Sequence, residues 1–233
     1  MTRIVGFDTA TATTAVAAFN AGAIPFESAL EPGEDERPRH ASVLMREVEA
    51  AADAFGGWDR VDRIAVGIGP GTFTGLRIGI STARALAQGL AKPLIPIGSL
   101  AALAAGIGER DEQRDEPRLP VIDARRGEAF AALYGGTGEE LWAPFVAPPE
   151  ELAARVARLD SPPLAAGDGS LRFRSQLEAA GARIPGEGDK AHRLAARHLC
   201  RLAADRDPVE PLGIEPMYLR RPDAELWRER QHG

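Results

Sequence analysis

The chain has 233 residues, of which 44% are hydrophobic and 27% charged, a globular balance at a length that can bury one large core or two small ones. No apolar run approaches the roughly 20 residues that span a bilayer, and the start MTRIVGFDTA is too short and too polar to be a signal peptide. A single cysteine, Cys200, excludes an intrachain disulfide framework, and a net charge of −6 argues against unaided capture of nucleic acid by the surface as a whole while leaving room for a local basic patch. The expected address is cytoplasmic. Set in RLAARHLCRLAA, Cys200 reads as a small buried apolar residue rather than a nucleophile.

In chain order, residues 3–8 form an apolar strand through Ile4, Val5 and Phe7. A second strand covers 14–19, Asn20-Ala21-Gly22 makes a hairpin turn because Asn and Gly accept positive φ, and a third strand covers 24–29. EPGEDERPR is a polar, proline-bounded loop. Val43, Leu44, Val48, Ala51, Ala52 and Phe55 recur at three-to-four spacing, which predicts an amphipathic helix over 40–55, stopped by Gly56-Gly57. Strand 63–68, helix 75–90, strand 93–97 and a helix opening at Ser99 follow.

The stretch GERDEQRDEPR is nearly free of apolar residues and reads as a solvated linker, after which the plan restarts. Strands are expected at 119–123, 128–134 and 141–146. A helix begins at Pro149, then come strand 163–166, helix 170–180, a short strand at 182–184 and helix 189–204. Each half thus reads strand-strand-strand-helix-strand-helix-strand-helix. Three hairpin-joined strands followed by alternating helices and strands imply a mixed sheet with helices on both faces. The fold class expected is α/β, with duplicated ribonuclease-H-like lobes in the actin-like arrangement. The division by chain order is 1–107 for the first lobe, 108–118 for the linker, 119–210 for the smaller second lobe and 211–233 for an extended tail returning to the first.

Two aspartates end the first strand of each half, Asp8 in VGFDTATATT and Asp123 in VIDARRGE. In actin-like ATPases carboxylates at these places face the interlobe cleft and hold magnesium-bound phosphates, which suits a hard cation's demand for oxygen ligands. The alternative is that each merely caps the turn that follows. In ATPases of this kind a glycine stands two residues after the aspartate, where this chain has Ala10, so the loop looks degenerate. The glycine-rich turn over 67–71, followed by Thr72-Phe73-Thr74, stands before a helix. It suits either a phosphate or a tight strand-to-helix connection, and it is not a Walker A loop. Candidate nucleotide contacts are therefore Asp8, Thr9, Gly69, Gly71, Thr72 and Asp123.

Along the following helix Gly75, Gly79, Ala83 and Ala87 recur every fourth residue, with Leu76 and Ile80 beside them. Glycine inside a helix costs about 0.5–1 kcal/mol relative to alanine. Such a stripe therefore calls for close approach of another backbone, from the chain's own sheet or from a partner. On the partner reading, Gly79→Leu leaves the monomer folded and abolishes pairing. Metal chemistry finds no support: His40 lacks a histidine four residues on, His192 and His198 are six apart, and no Gly-x-Ser-x-Gly elbow exists.

The segment GIGPGTFTGLRIGISTARALAQGL closely resembles the signature of the TsaB/YeaZ family. IVGFDTATATTAVA, RHASVLMREVE, VIDARRGEAFAALY, AGDGS and EPMYLRRPDAE extend the resemblance over nearly the whole chain, with Thr72 standing where the signature usually has Ser. The resemblance implies a duplicated actin-like fold and a non-catalytic role in forming N6-threonylcarbamoyladenosine at position 37 of tRNAs that read codons beginning with A. It implies partnership with the catalytic paralogue TsaD, which the family supports and stabilises, and with the ATPase TsaE. tRNA is then met only through the complex, and a homodimer forms when the partner is missing. No intrinsic cofactor or metal is implied, and ATP or ADP at the boundary with TsaD is the candidate nucleotide. The family pairs through its first two helices, which places the partner interface at His40, Leu44, Val48, Gly75, Leu76, Gly79, Ile80, Ala83 and Ala87.

Overall fold

The computed structural model describes residues 2–33, 36–110 and 116–220. The first half comprises β1 (Arg3–Asp8), β2 (Thr14–Asn20), β3 (Ala23–Leu30), α1 (His40–Asp53), β4 (Arg63–Gly67), α2 (Phe73–Gly89), β5 (Leu94–Ile97) and α3 (Ser99–Arg110). Its five strands pair in the order β3-β2-β1-β4-β5, antiparallel across β1, β2 and β3 and parallel from β1 to β4 to β5. The second half repeats the plan with β6 (Arg118–Arg125), β7 (Glu128–Tyr134), β8 (Glu140–Ala147), α4 (Pro149–Val156) and β9 (Leu164–Ala166). The short helices α5 (Asp168–Arg172) and α6 (Arg174–Ala179) and then α7 (Ala196–Ala204) follow. Its sheet runs β8-β7-β6-β9.

Alternation along each strand sends successive side chains to opposite faces, so each sheet carries two cores. Val5, Phe7, Val16 and Val66 pack under α1 and α2 through Leu44, Val48, Ile80 and Ala83. Ile4, Ala15, Ala17 and Ala65 face the other way, onto Leu199, Cys200 and Ala203 of α7. In the second sheet Val121, Ala131 and Leu133 meet α4 and α6 through Leu152, Val156 and Leu177, whereas Ile122, Phe130 and Ala132 meet Leu100, Leu103 and Ala104 of α3. The two halves therefore exchange their last helices. The chain-order division at 108–118 assigns α3 to the first lobe and α7 to the second, but in packing α3 belongs with the second sheet and α7 with the first. An amphipathic pattern states that a face is buried without stating which sheet buries it.

Other differences from the sequence reading have local causes. Helix 170–180 breaks into α5 and α6 at Phe173, and the strand expected at 182–184 is a single parallel bridge from Arg183 to Leu164. The helix expected over 189–204 is a 3-10 turn (Lys190–His192) and then α7, separated by extended backbone at Arg193 and Ala195. The linker is shorter than expected, since α3 runs to Arg110 and β6 starts at Arg118, and residues 111–115 lie outside the described residues. Past α7, Val209 N donates to Leu94 O at 2.9 Å and Met217 N to Ile68 O at 2.8 Å, which lays this segment against the first sheet. The rest of the tail, 221–233, lies outside the described residues. Cys200 is fully buried beneath Gly6, and burial raises its thiol pKa well above the usual range.

A charged cluster holds the exchanged helices together. Arg197 bridges Glu27 at 2.9 Å and Glu109 at 3.3 Å, and Arg201 reaches Glu109 at 2.6 Å. His198 is 1% exposed, with Nε2 3.5 Å from Glu109 Oε2. Burial pushes its pKa down from 6.5 to about 4, helped by Arg197 and Arg201 and opposed by Glu109. An imidazole neutral in the fold but protonated in the unfolded chain makes the unfolded state bind more protons between these two values. Stability should therefore fall as pH drops through that window. About 2 kcal/mol should be lost between neutrality and about pH 4.5, and His198→Gln should flatten this limb in urea titrations. His40, whose pKa burial also lowers, adds to the same limb and should leave a remainder. An unchanged slope in His198→Gln would remove His198 from the acid response.

Candidate functional site

The loop after β1 and the glycine-rich turn before α2 interlock. Asp8 is 1% exposed. Its Oδ1 accepts from Ala10 N at 2.6 Å, and its Oδ2 accepts from Ser99 Oγ, also at 2.6 Å. Ser99 Oγ in turn accepts from Gly69 N at 3.2 Å, while Ser99 N donates to Gly69 O at 2.7 Å. Thr72 N donates to Ala10 O at 2.8 Å, and Thr9 Oγ1 to Gly75 O at 2.7 Å. A Cβ on Gly67 would fall on the Asp8 carboxylate, and one on Gly71 would fall on Ala10. Ala10, which replaces the ATPase glycine, thus fills the space beside Gly71, and the chain's own atoms occupy the cradle. Desolvation raises the Asp8 pKa, opposed by the hydrogen bonds from Ser99 and Ala10.

Asp123 stands apart from this knot. Its Oδ1 accepts from Arg125 N at 2.9 Å, and its Oδ2 pairs with Arg172 at 2.7 Å and Arg125 at 3.3 Å. Its own N–H donates to Asp168 Oδ1 at 3.0 Å, and burial raises the Asp168 pKa. The turn that follows holds Arg125, Arg126 and Gly127 in the left-handed region, at φ of 62°, 54° and 80°. Both aspartates accept the backbone N–H two residues on, which is the turn-capping alternative raised from the sequence.

Of the six candidate nucleotide contacts, Gly71, Thr72 and Asp123 line one interlobe cleft of about 240 Å³. Gly69 borders a separate depression with Pro96 and Tyr134, and Asp8 and Thr9 are interior. A larger interlobe cleft, about 510 Å³, is lined by Thr11, Thr13, Asp168, His192 and Arg193, none of which the sequence reading placed in a binding site. The run AGDGS was the one signal pointing to it. Among the described residues no group of three His, Cys, Asp or Glu side chains is placed to hold a metal, and no helix is long and apolar enough to cross a membrane.

The expected partner interface requires a correction. His40, Leu44, Val48, Gly75, Leu76, Gly79, Ile80, Ala83 and Ala87 are all buried within this one chain. His40 Nδ1 lies 2.8 Å from Thr14 Oγ1, and a Cβ on Gly79 would meet the Thr9 hydroxyl. The apolar faces of α1 and α2 serve the chain's own sheet. Met45, Arg46 and Glu49 of α1 and Phe73, Arg77, Ser81 and Gln88 of α2 are among the residues these helices expose.

A family model, "TsaD: tRNA N6-adenosine threonylcarbamoyltransferase", matches residues 33–169. The Escherichia coli (strain K12) protein named tRNA threonylcarbamoyladenosine biosynthesis protein TsaB is 29% identical over 228 residues, 94% of each chain. A Pseudomonas aeruginosa structure described as similar to peptidase YeaZ superposes with a TM-score of 0.76 at 31% identity, covering 94% of this chain and 100% of that one. The chain belongs to the TsaB/YeaZ family. Within it, residues 33–169 carry the TsaD-like domain. A ROK hexokinase from Thermus thermophilus matches at a TM-score of 0.52 and 14% identity, over 88% of this chain and 100% of that one, which shares the fold alone. The duplicated sheets with exchanged helices are accordingly actin-like, as the order of elements predicts.

Proposed function

We propose that this chain is a non-catalytic partner subunit in the formation of N6-threonylcarbamoyladenosine at position 37 of tRNAs reading codons that begin with A. Its task is to support and stabilise a TsaD-like paralogue in the cytoplasm. The observation that carries the absence of an active site is the saturation of Asp8. Both carboxylate oxygens are taken by Ala10 N and Ser99 Oγ in the interior, and Asp123 is held by two arginines. Both carboxylates are engaged within the chain itself, which supports a reading in which the chain has no intrinsic cofactor and ATP or ADP belongs to the boundary with the paralogue. Peptide hydrolysis gains no support from Cys200, which is buried with a raised pKa, or from Ser170, which lies 3.4 Å from His192 Nδ1 but is fully buried and donates its proton to Gly167 O.

The outward faces of α1 and α2 meet the paralogue, a TsaE-like ATPase joins that pair, tRNA is modified by the complex, and the chain pairs with itself when alone. Tagged chain purified from its source cell should bring down a TsaD-like protein that co-elutes in size exclusion. Met45 is 43% exposed on α1, and Met45→Arg should abolish co-elution with a melting temperature within about 2 °C of the parent, as for a surface change. Purified chain that hydrolyses ATP alone, and loses that activity on Asp8→Asn, would show an enzyme instead.

A further inference from the structure

The depression that Gly69 borders, about 510 Å³, lies outside the carboxyl ends of β4 and β5, where open α/β sheets commonly seat their ligands. Gly98, Leu100 and Ala101 bring the N-terminus of α3 to it. In that turn Ser99 N donates to Gly69 O and Ala102 N to Gly98 O, whereas Leu100 N and Ala101 N have no backbone acceptor. Free N–H groups at a helix start favour an anion.

Tyr134 is a separate sign of a ligand. It is 7% exposed, yet its hydroxyl has no hydrogen-bond partner among the described residues, and it lines the same cleft. Burial pushes its pKa up to about 12, with Glu140 adding to the rise and Arg206 opposing it, so at neutral pH the hydroxyl keeps its proton. Arg206 and Glu140 also line the cleft, and neither forms an ion pair among the described residues. Glu140 stands opposite Tyr134 across β7 and β8, and the Arg206 carbonyl accepts from Arg63 at 3.0 Å. Pro96, Pro144 and Met217 add an apolar wall, with Met217 fixed by its N–H on Ile68 O.

We propose that this cleft binds a free α-amino acid with an aliphatic side chain. Its carboxylate meets the first turn of α3, Tyr134 and Arg206, its ammonium turns to Glu140, and its side chain rests on the apolar wall. Several donors and one unpaired carboxylate around a single cleft match a zwitterion. A simple carboxylate or a phosphate would satisfy the donors but would face Glu140 with like charge, and an amine alone would leave the donors unmet. No residue lining the cleft belongs to α1 or α2, so the site does not depend on the subunit role proposed above.

The test is calorimetric titration of the full chain with L-leucine, isocaproate (leucine without its ammonium), isoamylamine (leucine without its carboxylate) and inorganic phosphate. Leucine should bind, and each truncated analogue should bind about tenfold more weakly or worse. Arg206→Gln should weaken leucine about tenfold and Tyr134→Phe about 2- to 10-fold. Glu140→Gln should weaken leucine but strengthen isocaproate, a pair of opposite signs that a merely structural role would not produce. Arg206 and Glu140 are exposed, so their variants should melt with the parent and carry the test should Tyr134→Phe unfold. Failure of leucine to bind overturns the site, as does unchanged affinity in both Arg206→Gln and Tyr134→Phe. Isocaproate or phosphate that binds as tightly as leucine also overturns it, and would mark a subsite for anions only.

Discussion

Gly75→Ala is expected to destabilise the fold by about 3 kcal/mol or more, the upper range for overpacking, which is a fall of roughly 10 °C in melting temperature for a chain of this size. The new Cβ would land on the Thr9 carbonyl oxygen and 2.6 Å from Thr72 Oγ1. The carbonyl is backbone, fixed at the end of β1, and the hydroxyl belongs to the residue that precedes α2. Neither is the far end of a flexible chain that could swing aside. Gly89, in the last turn of the same helix, is exposed and has open space around its Cα. There the ordinary helix preference applies, and Gly89→Ala should stabilise by about 0.5–1 kcal/mol. Opposite signs for one substitution in one helix distinguish packing from propensity. Gly79→Leu should fare worse than Gly75→Ala, because a whole side chain must enter where one carbon already meets Thr9. The sequence alone made this a clean test of pairing, with the monomer left folded. With the stripe facing its own loop, loss of pairing in Gly79→Leu would report unfolding, and exposed Met45 is the sounder probe. A Gly79→Leu chain that melts with the parent would mean the stripe is open after all.

What could be read in the sequence follows the range of the interactions. A short apolar run through Ile4, Val5 and Phe7 marked the first strand, and three-to-four spacing set the inward face of α1, because both patterns are local. The small-residue stripe was equally legible as a place of close approach. Its neighbour is Thr9, 66 positions before Gly75, and no local pattern carries that distance. The same limit left Asp8 open between cap and cleft, since the decisive partner is Ser99, 91 residues away. The exchange of α3 and α7 escaped for a related reason: Leu100 and Leu103 announce an apolar face, but the strands that cover it, with Ile122, Phe130 and Ala132, come later in the chain. The contact between the Phe73 and Tyr218 rings was hidden too, because Phe73 opens α2 while Tyr218 lies in the tail, and no local pattern joins the two segments that hold them.

Asp8→Ala should cost about 4 kcal/mol, from two buried donors losing their acceptor. Ala10 N and Ser99 Oγ would be left in the interior, and the hold of Ser99 on Gly69 would loosen with them. Asp8→Asn should cost about 1–2 kcal/mol. Its oxygen can still accept from Ala10 N, but its amide faces a serine that already accepts from Gly69 N, so the serine proton loses its acceptor. Acid is a separate check on the same group. Burial raises the Asp8 pKa above 3.8, so in the acid range the folded chain takes this proton more readily than the unfolded one, and protonation favours folding. The acid-induced loss of stability should therefore survive in Asp8→Asn, carried by His198 and His40. A carboxylate kept for magnesium-bound phosphate would instead show its replacement in lost nucleotide binding, with the fold nearly as stable as the parent. Urea unfolding of the two variants beside a nucleotide-binding titration separates these cases. Asp8→Asn that matches the parent in stability would give the residue back to the cleft, and one that falls by a kilocalorie or more with no nucleotide to lose would confirm it as the pin between the first strand and the glycine-rich turn.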